Sequence, residues 1–338
     1  MEISEDYFDS YEEIDVHRLM LNDVPRMEAY KNAIFNNKHL FENKIVMDVG
    51  AGTGILSIFC AKNGAKKVYS VEASGLSKMI TKVIAENELT DKIQVIENKL
   101  ENIEVDSIEP VDIIISEWMG FYLLHEGMLN TILIARDRFL KKDGQLFPSV
   151  ATIHAAPCQV PELFDFWDNV YDVKMTCVGE GLRQGKSSKP EVMLVDKNNL
   201  LGDSKVLAWI DIATITADEI DVVGGQELVF SCNKNGKYQG ICLWFDVEFP
   251  GCELSTSPFN KPTHWKQTVI ALPQSHDVEA NEPVAVKITM KKDQLKPRWY
   301  NLELEVIDPD DAEHDIPCNC YMTKCIVSRE FIKQHDNC

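Results

Sequence analysis

The feature that most constrains the fold of this chain is an alternation of short apolar runs with amphipathic stretches between residues 44 and 147. Four runs have the composition of strands buried on both faces: Ile45–Val49, Lys67–Glu72, Ile93–Glu97 and Val111–Ile115. Helical periodicity is found at 55–63, at about 75–88 and at 128–141, where Asp143-Gly144 should end the last helix. This alternation predicts an α/β domain with a parallel, doubly wound sheet.

The segments on either side of this domain follow other patterns. Helical spacing from about residue 10 to 40, broken at Pro25, predicts N-terminal helices within residues 1–43. Residues 148–338 carry β-rich runs between Gly, Pro and Asn turns, which is typical of antiparallel strands. The runs are 227–232, 241–249, 268–272, 284–290 and 302–307. We therefore expect helices over 1–43, the α/β domain over 44–147 and a mostly antiparallel β domain over 148–338.

One stretch of the β-rich half is crowded with large apolar side chains. They lie between residues 161 and 171, before a polar, Gly-containing loop predicted at 179–190: Leu163, Phe164, Phe166, Trp167, Val170 and Tyr171. An arm of this kind could bury its aromatic side chains on a second subunit or on the β domain of its own chain. The residues alone leave both interpretations open.

The net charge narrows the class of partner. Against 34 Lys and Arg, the 338-residue chain has 54 Asp and Glu, which gives a net charge of −20. An acidic surface repels phosphate backbones and anionic lipids, and it attracts cationic segments. Nucleic acid is therefore disfavoured as the main substrate and a Lys- or Arg-rich protein segment is favoured, although the charge could equally serve solubility alone.

The ten cysteines are scattered and most lie in apolar runs, as expected of reduced, buried thiols. The tightest group, Cys318, Cys320 and Cys325, lacks the paired C-x2-C spacing of a zinc site, so we expect no metal there. The N-terminus lacks the basic and apolar regions of a signal peptide, and no apolar run is long enough to span a membrane. We expect a soluble protein of the cytoplasm and nucleus.

The first candidate site is a glycine-dense turn between the first strand and its helix, Gly50-Ala51-Gly52-Thr53-Gly54, preceded by Asp48. Glycines let the backbone bend sharply and approach a ligand at the carboxyl edge of the sheet. The spacing is G-x-G-x-G and not the G-x-G-x-x-G of dinucleotide binders. Glu72 ends the second strand, where an acid can accept hydrogen bonds from ribose hydroxyls. An acidic turn suits an ammonium group better than a pyrophosphate, which favours S-adenosylmethionine over NAD or ATP.

The second candidate site follows the fourth strand, where Glu117 and Glu126 flank an apolar loop. Two carboxylates in an apolar pocket repel each other unless a cation lies between them, and a guanidinium pairs with carboxylates in a bidentate manner. Taken alone, Glu126 could simply be an acid at a helix N-terminus. A third cluster, Thr263-His264-Trp265, lies in the β-rich half, where a lone histidine is more often structural than catalytic.

Together these motifs resemble the protein arginine methyltransferases, and specifically their type I branch, which makes monomethyl and asymmetric dimethyl arginine. Four separated motifs carry the resemblance over about residues 7–310. They are Tyr7 to Tyr11 with His17, Met20 and Arg26 downstream; Asp48 to Gly54 with Glu72; Ser116 to Gly120 through Glu126; and Thr263-His264-Trp265.

The resemblance implies a Rossmann-like cofactor domain, a β-barrel that closes the active site, and a head-to-tail homodimer with a dimerisation arm at about 160–188. It implies that S-adenosyl-L-methionine is bound by a covering helix, the glycine turn and the next two strand ends: Phe8, Tyr11, His17, Met20, Arg26, Asp48, Gly50, Gly52, Gly54, Glu72, Lys99, Leu100 and Glu101. Arg26 should contact the methionine carboxylate. Met119, Met128 and Trp265 should contact the substrate.

The resemblance also implies an in-line methyl transfer in which Glu117 and Glu126 bind two guanidinium nitrogens and leave the third more nucleophilic. His264, oriented by Asp23, takes the product proton or braces the N-terminal helix, and bracing is preferred because the product remains strongly basic. Gly/Arg-rich segments and histone tails are the expected substrates.

Several positions depart from the family pattern. Phe121 stands where Tyr is common, Gly127 replaces a Ser, and Pro25 interrupts the stretch before Arg26. The tail from Arg298 matches no familiar pattern, and residues 317–321 are expected to form an ordinary last strand. Type II or type III activity, a methyltransferase for another substrate class, and an inactive paralogue acting as dimer partner or scaffold remain as alternatives.

Overall fold

The computed structural model describes residues 14–335, so the predicted cofactor contacts of Phe8 and Tyr11 lie outside the described residues. Three helices open the described chain: α1 (Ile14–Asn22), α2 (Val24–Phe35) and α3 (Lys38–Phe41). The break at Pro25 is the start of α2, because Asp23 caps this helix and Pro25 lies in its first turn.

A five-stranded parallel sheet follows, with strands β1 (Ile45–Val49), β2 (Lys67–Glu72), β3 (Ile93–Glu97), β4 (Val111–Ile115) and β5 (Leu140–Phe147). Helices α4 (Ile55–Lys62), α5 (Ser77–Glu86) and α6 (Leu129–Phe139) connect them. Helix α6 ends earlier than predicted, and Asp143-Gly144 lies within β5, because the chain passes directly from Phe139 into the strand.

In the strand order β3-β2-β1-β4-β5, the first strand in sequence, β1, lies in the middle of the sheet. Strands β1 and β4 are parallel neighbours, with Val46 opposite Ile113, and the chain leaves them in opposite directions across the sheet. Doubly wound sheets bind their ligands at such a switch point, beyond the carboxyl ends of the two strands. The glycine turn after β1 and the acidic loop after β4 therefore meet at one edge, as the sequence predicted.

The second half is mostly antiparallel β, in agreement with the predicted fold class. A six-stranded sheet contains β6 (Val150–Cys158), β7 (Glu191–Met193), β8 (Lys205–Asp211), β10 (Gly236–Phe249), β11 (Cys252–Ser255) and β12 (Gln267–Val278). A three-stranded sheet contains β9 (Val222–Ser231), β13 (Pro283–Lys292) and β14 (Tyr300–Ile307), and a short helix α9 (Ala217–Asp221) precedes β9. One apolar core runs from Tyr30 through the parallel sheet to Tyr300.

The predicted arm contains helix α7 (Pro161–Phe164), a 3-10 turn and helix α8 (Thr176–Lys186). The prediction of a loop at 179–190 was wrong over its first part. Helix α8 continues through Gly179, which is buried and whose missing side chain leaves room for Trp167. Glycine at position 179 therefore allows α8 to pack closely against Trp167.

The expectation of a last strand at 317–321 was also wrong. The segment is irregular and leads into helix α10 (Thr323–His335). Among the described residues, no helix is long and apolar enough to cross a membrane.

Candidate active site

A cavity opens at the switch point between β1 and β4. Thirteen of the predicted site residues line it: His17, Met20, Arg26, Gly50, Gly52, Glu72, Lys99, Leu100, Glu101, Glu117, Met119, Glu126 and Met128. They come from α1, α2 and the segments that follow β1, β2, β3 and β4, so residues far apart in sequence surround one space. Charged groups of both signs, a few uncharged polar side chains and apolar side chains together form the wall.

The glycine turn forms the floor of this cavity by close approach of the backbone. Gly50 has φ +70°, and a Cβ there would lie 2.4 Å from Met128 Cε. Gly52 has φ +56°, and a Cβ there would lie 3.3 Å from the His17 ring. Both positions favour glycine because L residues are strained at such angles, and a Cβ would also displace the Met128 methyl group or press on the His17 ring. Helix α1 thereby covers the turn through His17.

Glu72 is held in place at the end of β2. One carboxylate oxygen accepts a hydrogen bond from the Gly52 N–H at 2.8 Å and the other accepts one from the Ser74 N–H at 2.9 Å. At the next strand end, Glu101 accepts a hydrogen bond from Thr131 Oγ1 at 2.7 Å. Two carboxylates thus line the cavity in fixed orientations.

Asp48 and Gly54, which were predicted to contact the cofactor, do not line the cavity. Asp48 is fully buried and accepts a hydrogen bond from Ser57 Oγ at 2.6 Å. Burial raises its pKa to about 7, the Ser57 hydrogen bonds oppose this, and the nearby Glu72 charge adds to it. Gly54 is a packing position, because a Cβ there would lie 2.8 Å from Ile80 Cγ2. Both residues support the turn from beneath.

Glu117 already binds a guanidinium in this structure. Its Oε2 accepts hydrogen bonds from Arg26 Nε at 3.1 Å and Nη2 at 2.9 Å, while its Oε1 accepts one from the Met119 N–H at 3.2 Å. Arg26 Nη1 donates to the Met20 carbonyl at 3.1 Å, which ties α1 to this pair. The side chains of Arg26 and Glu117 are each only 10% exposed, so their ion pair is largely shielded from water.

The loop that carries Glu126 has a strained backbone. Glu126 has φ +77°, Leu123 has φ +74° and Tyr122 has φ +43°. Non-glycine residues adopt such angles only where the surroundings impose them, and they concentrate at functional sites. The strain is held by the β13–β14 connection, since Arg298 Nη1 donates to the Glu126 carbonyl at 3.1 Å.

Tyr122 fastens the same loop to β14. Its hydroxyl donates to the Tyr300 carbonyl at 3.0 Å and lies 2.8 Å from His125 Nδ1. Because the hydroxyl proton is used by the carbonyl, which can only accept, His125 must carry its proton on Nδ1. Burial lowers the pKa of His125, in keeping with a neutral ring in this role.

His264, Asp23 and Trp265 do not line the cavity and instead hold its walls. Asp23 Oδ2 accepts from the His264 N–H at 2.7 Å and lies 2.6 Å from His264 Nδ1, while Asp23 Oδ1 caps α2 through the Arg26 N–H. Burial alone would raise the Asp23 pKa, but the hydrogen bonds from His264 and Arg26 outweigh it and lower that pKa. The geometry agrees with the bracing role of His264.

Trp265 differs from its predicted contact with the substrate. The ring is 4% exposed, and its Nε1 donates to the Met119 carbonyl at 2.9 Å. Trp265 therefore positions the loop after β4 from behind, while Met119 itself lines the cavity.

Sequence reasoning missed several residues that line the cavity, including Asn98, Trp118, Thr131 and Arg298. Arg298 is the most informative, because it lies in the part of the chain that matched no familiar pattern. In the sequence, Arg298 is distinguished only by its position beside Pro297 in a turn between two strands. That position gives no indication of a role in the active site.

The cavity fits an adenosyl-sulfonium cofactor. Its floor is the glycine turn, where side chains in place of the glycines would occupy the space for a ligand. Glu72 and Glu101 provide hydrogen-bond acceptors, which suit the hydroxyl and amino groups of an adenosyl group, whereas a phosphate would require donors. Glu72, Glu101, Glu117 and Glu126 outnumber the Arg and Lys side chains that line it, Arg26, Lys99 and Arg298. A cationic ligand is favoured by this balance.

Comparisons with known proteins agree with this geometry. Residues 149–307 match the family described as the arginine methyltransferase oligomerization subdomain, and residues 33–130 match the ribosomal protein L11 methyltransferase family. Among curated relatives, protein arginine N-methyltransferase 6 of Danio rerio is 39% identical, covering 91% of this chain and 90% of its own length. Protein arginine N-methyltransferase 1 of Schizosaccharomyces pombe is 38% identical and covers 88% of each chain.

The fold is also similar to that of a solved arginine methyltransferase structure. The Trypanosoma brucei PRMT1 enzyme-prozyme heterotetrameric complex with AdoHcy has a TM-score of 0.79 and 32% identity, covering 90% of this chain and 98% of that chain. Sheet, cavity and matches together define an S-adenosyl-L-methionine-dependent methyltransferase. The chain belongs to the protein arginine N-methyltransferase family and is an enzyme of that family, which confirms the resemblance inferred from its motifs.

Proposed function

We propose that this enzyme is a type I protein arginine N-methyltransferase that makes monomethyl and asymmetric dimethyl arginine. The observation that carries the proposal is the hydrogen-bonding of Glu117 to the Arg26 guanidinium in a cavity that Glu126 also lines. A carboxylate positioned to accept two guanidinium N–H groups is suited to an arginine substrate.

The cofactor is held by groups already in fixed orientations. Glu72 would accept from the ribose hydroxyls, Glu101 would lie near the adenine, and the Gly50–Gly52 backbone would line the methionine part. Arg26, which lines the cavity, would contact the methionine carboxylate while its guanidinium keeps its hydrogen bonds to Glu117. When bound, S-adenosyl-L-methionine supplies a methyl carbon on a positively charged sulfur, an activated leaving group.

Glu117 and Glu126 would bind two nitrogens of the substrate guanidinium and draw its positive charge toward them. The third nitrogen is then more nucleophilic and is aligned with the methyl carbon, and alignment is the main contribution in a transfer of this kind. The carboxylates also stabilise charge as it moves onto the guanidinium. The product proton can leave to solvent, since His264 is engaged with Asp23 behind the cavity wall.

Two features support type I product and basic protein substrates, and a third argues against an inactive scaffold. Met20 lines the cavity and Trp265 lies behind its wall, and both positions resemble the type I branch, in which they leave room for a second methyl on the same nitrogen. The net charge of −20 favours cationic segments such as Gly/Arg-rich sequences or histone tails. An inactive scaffold would not need to retain the strained Glu126 loop.

Mass spectrometry of a Gly/Arg-rich peptide incubated with S-adenosyl-L-methionine tests the proposal. We expect asymmetric dimethylarginine, and in Glu126→Gln a loss of at least about 100-fold in rate, because one charged group that stabilises the transition state is neutralised. Glu86→Gln, an exposed change of the same kind on α5, should keep the wild-type rate.

Other outcomes separate the alternatives. Symmetric dimethylarginine would assign type II activity, and monomethylarginine alone would assign type III. Absence of product on several basic peptides, with S-adenosyl-L-methionine still bound in a calorimetric titration, would support the scaffold interpretation.

A further inference from the structure

The tail beyond Ile307 brings together four side chains that are far from the active-site motifs. His314, Cys318, Cys320 and Cys325 place one ligand atom each within 4.8 Å of all the others. His314 Nδ1 lies 3.5 Å from Cys318 Sγ, 3.5 Å from Cys320 Sγ and 3.2 Å from Cys325 Sγ. Three sulfurs therefore surround one ring nitrogen.

These distances are those of a tetrahedral metal site. With Zn–S bonds of about 2.3 Å and a Zn–N bond of about 2.0 Å, tetrahedral angles separate nitrogen from sulfur by roughly 3.5 Å. The nitrogen-to-sulfur distances in the cluster match this value. A thiolate-rich set with one imidazole selects zinc among the abundant divalent metals.

The histidine is oriented as a ligand. His314 Nε2 lies 2.8 Å from the Pro309 carbonyl oxygen, which can only accept, so the ring proton is on Nε2 and the lone pair of Nδ1 faces the three sulfurs. Metal-bound histidines are commonly fixed by such a bond to their other nitrogen. One lone pair cannot serve three thiol donors, whereas a single ion would join all four groups.

The surroundings provide a matching charge. Cys320 and Cys325 are buried, at 0% and 4% exposure. Three thiolates with one Zn²⁺ carry a net charge of −1, and the Arg329 guanidinium donates to the Cys318 and Cys320 carbonyls. A positive charge is thus held against the backbone of the segment that carries Cys318 and Cys320.

We propose that His314, Cys318, Cys320 and Cys325 form a structural zinc site that fastens the C-terminal tail to the β domain. All four positions of the tetrahedron come from the protein, which is typical of structural rather than catalytic zinc. The site joins an irregular segment to the first turn of α10. The tail contacts the β domain through a hydrogen bond from the Tyr321 N–H to the Asn281 carbonyl in the turn between β12 and β13, and through Ala312, which packs against Val229 and Ala285.

A zinc site here reverses the expectation drawn from cysteine spacing. The three cysteines alone lack a familiar pattern, and the fourth ligand is a histidine in an H-x3-C-x-C-x4-C arrangement. The match to the oligomerization subdomain ends at residue 307, so the cluster lies outside the matched region.

Metal analysis of the full-length protein, with any purification tag removed, tests the site. After reconstitution with zinc chloride and desalting, we expect about one zinc ion per chain, and Co²⁺ in its place should give thiolate-to-cobalt charge-transfer bands and the visible spectrum of tetrahedral cobalt. Cys320→Ser and His314→Asn should lose the zinc, and limited proteolysis should then cleave the tail faster. Cys177→Ser, an exposed thiol in the arm, is the matched control and should retain it.

Circular dichroism of the variants establishes that the rest of the chain is folded. The proposal is overturned if the wild-type protein binds no zinc or gives an octahedral cobalt spectrum, or if Cys320→Ser keeps the full zinc content. It is equally overturned if mass spectrometry of the alkylated protein shows a disulfide within the cluster. None of these readouts depends on methyl transfer.

Discussion

At the scale of single residues, the carboxylates in and around the site have different hydrogen-bond partners and different surroundings. Glu117 is paired with Arg26, Glu72 accepts two backbone N–H groups, and Asp48 is buried with one hydroxyl partner. Burial penalises the charged form of the Asp48 carboxylate. Asp48 therefore affects the pH dependence of folding stability, whereas Glu72 and Glu117 line the cavity.

This difference predicts a pH dependence of stability. The Asp48 pKa is about 7 in the folded state against 3.8 for an ordinary aspartate, so its stabilising contribution is present below pH 3.8 and is lost as the pH rises through 7. Asp48→Asn keeps an acceptor for Ser57 and removes the ionisation. The unfolding free energy of the variant relative to wild type should rise by roughly 1.4 kcal/mol per pH unit between about pH 5 and 7.

Urea unfolding at several pH values measures this difference. Asp106→Asn, an exposed control, should follow the wild-type curve. Parallel curves for Asp48→Asn and wild type would show that Asp48 is ionised throughout this range.

At the scale of elements, Glu117 and Glu126, the acids proposed to bind the substrate, are positioned by contacts between parts of the chain that are distant in sequence. The loop after β4 is held by Trp265 from the loop before β12, and by Tyr300 and Arg298 from the third sheet and its connection. Helix α2 is joined to the same region because His264 binds its capping residue, Asp23. The β domain thus fixes the geometry of a site whose acids belong to the α/β domain.

The turn over residues 293–299 depends on Gly127, the position where the family commonly has Ser. Gly127 has φ +61°, and a Cβ there would lie 3.1 Å from both Arg298 Cα and the Pro297 carbonyl oxygen. Gly127→Ala should therefore displace Arg298 from Glu126 as well as strain the backbone. We expect a several-fold higher KM for the peptide, with a loss of stability on the order of 1 kcal/mol.

Gly251→Ala separates these two effects. Gly251 also has a positive φ, +78°, but a Cβ added there would meet no atom within 4 Å. The control should lose comparable stability in thermal unfolding while its peptide KM stays at the wild-type value. Equal KM values for both variants would mean that the turn does not influence substrate binding.

At the scale of the whole molecule, the arm over residues 160–188 has one part that is packed on its own chain and another whose aromatic side chains are exposed. Its base is fixed to its own chain, because Phe164 is buried and Asp165 accepts a hydrogen bond from Gln239 at 3.1 Å. Further along, Tyr171 is 97% exposed and Phe166 is 61% exposed. Exposed aromatic side chains that lie close together are typical of an interface, and the matched family region is an oligomerization subdomain.

We therefore predict a homodimer assembled through the arm. Sedimentation analysis should give twice the chain mass for the wild type, and Phe166→Asp with Tyr171→Asp should give a monomer because charges in an apolar interface are costly. Phe259→Asp, at a side chain 64% exposed outside the arm, should leave the dimer intact. A monomeric wild type, or a double variant that still dimerises, would contradict the prediction.

The sequence by itself determined the fold class and most of the cavity. Strand composition and the glycine turn are local signals, and a parallel sheet brings strand ends together by its topology, so Gly50, Glu72 and Glu117 could be assigned to one edge. Only the tertiary structure decided which of the predicted side chains reach the cavity. Asp48, Gly54 and Trp265 belong to its supports, because packing against Ser57, Ile80 and Met119 determines their surroundings.

Two further features could not be predicted from the sequence. Arg298 enters the site through a connection between distant strands, and His314 completes a cluster whose cysteines alone have an unfamiliar spacing. In both cases the chemistry depends on distances between residues that no local pattern links. Local periodicity specifies elements, whereas the meeting of side chains from different elements is fixed only when the core packs.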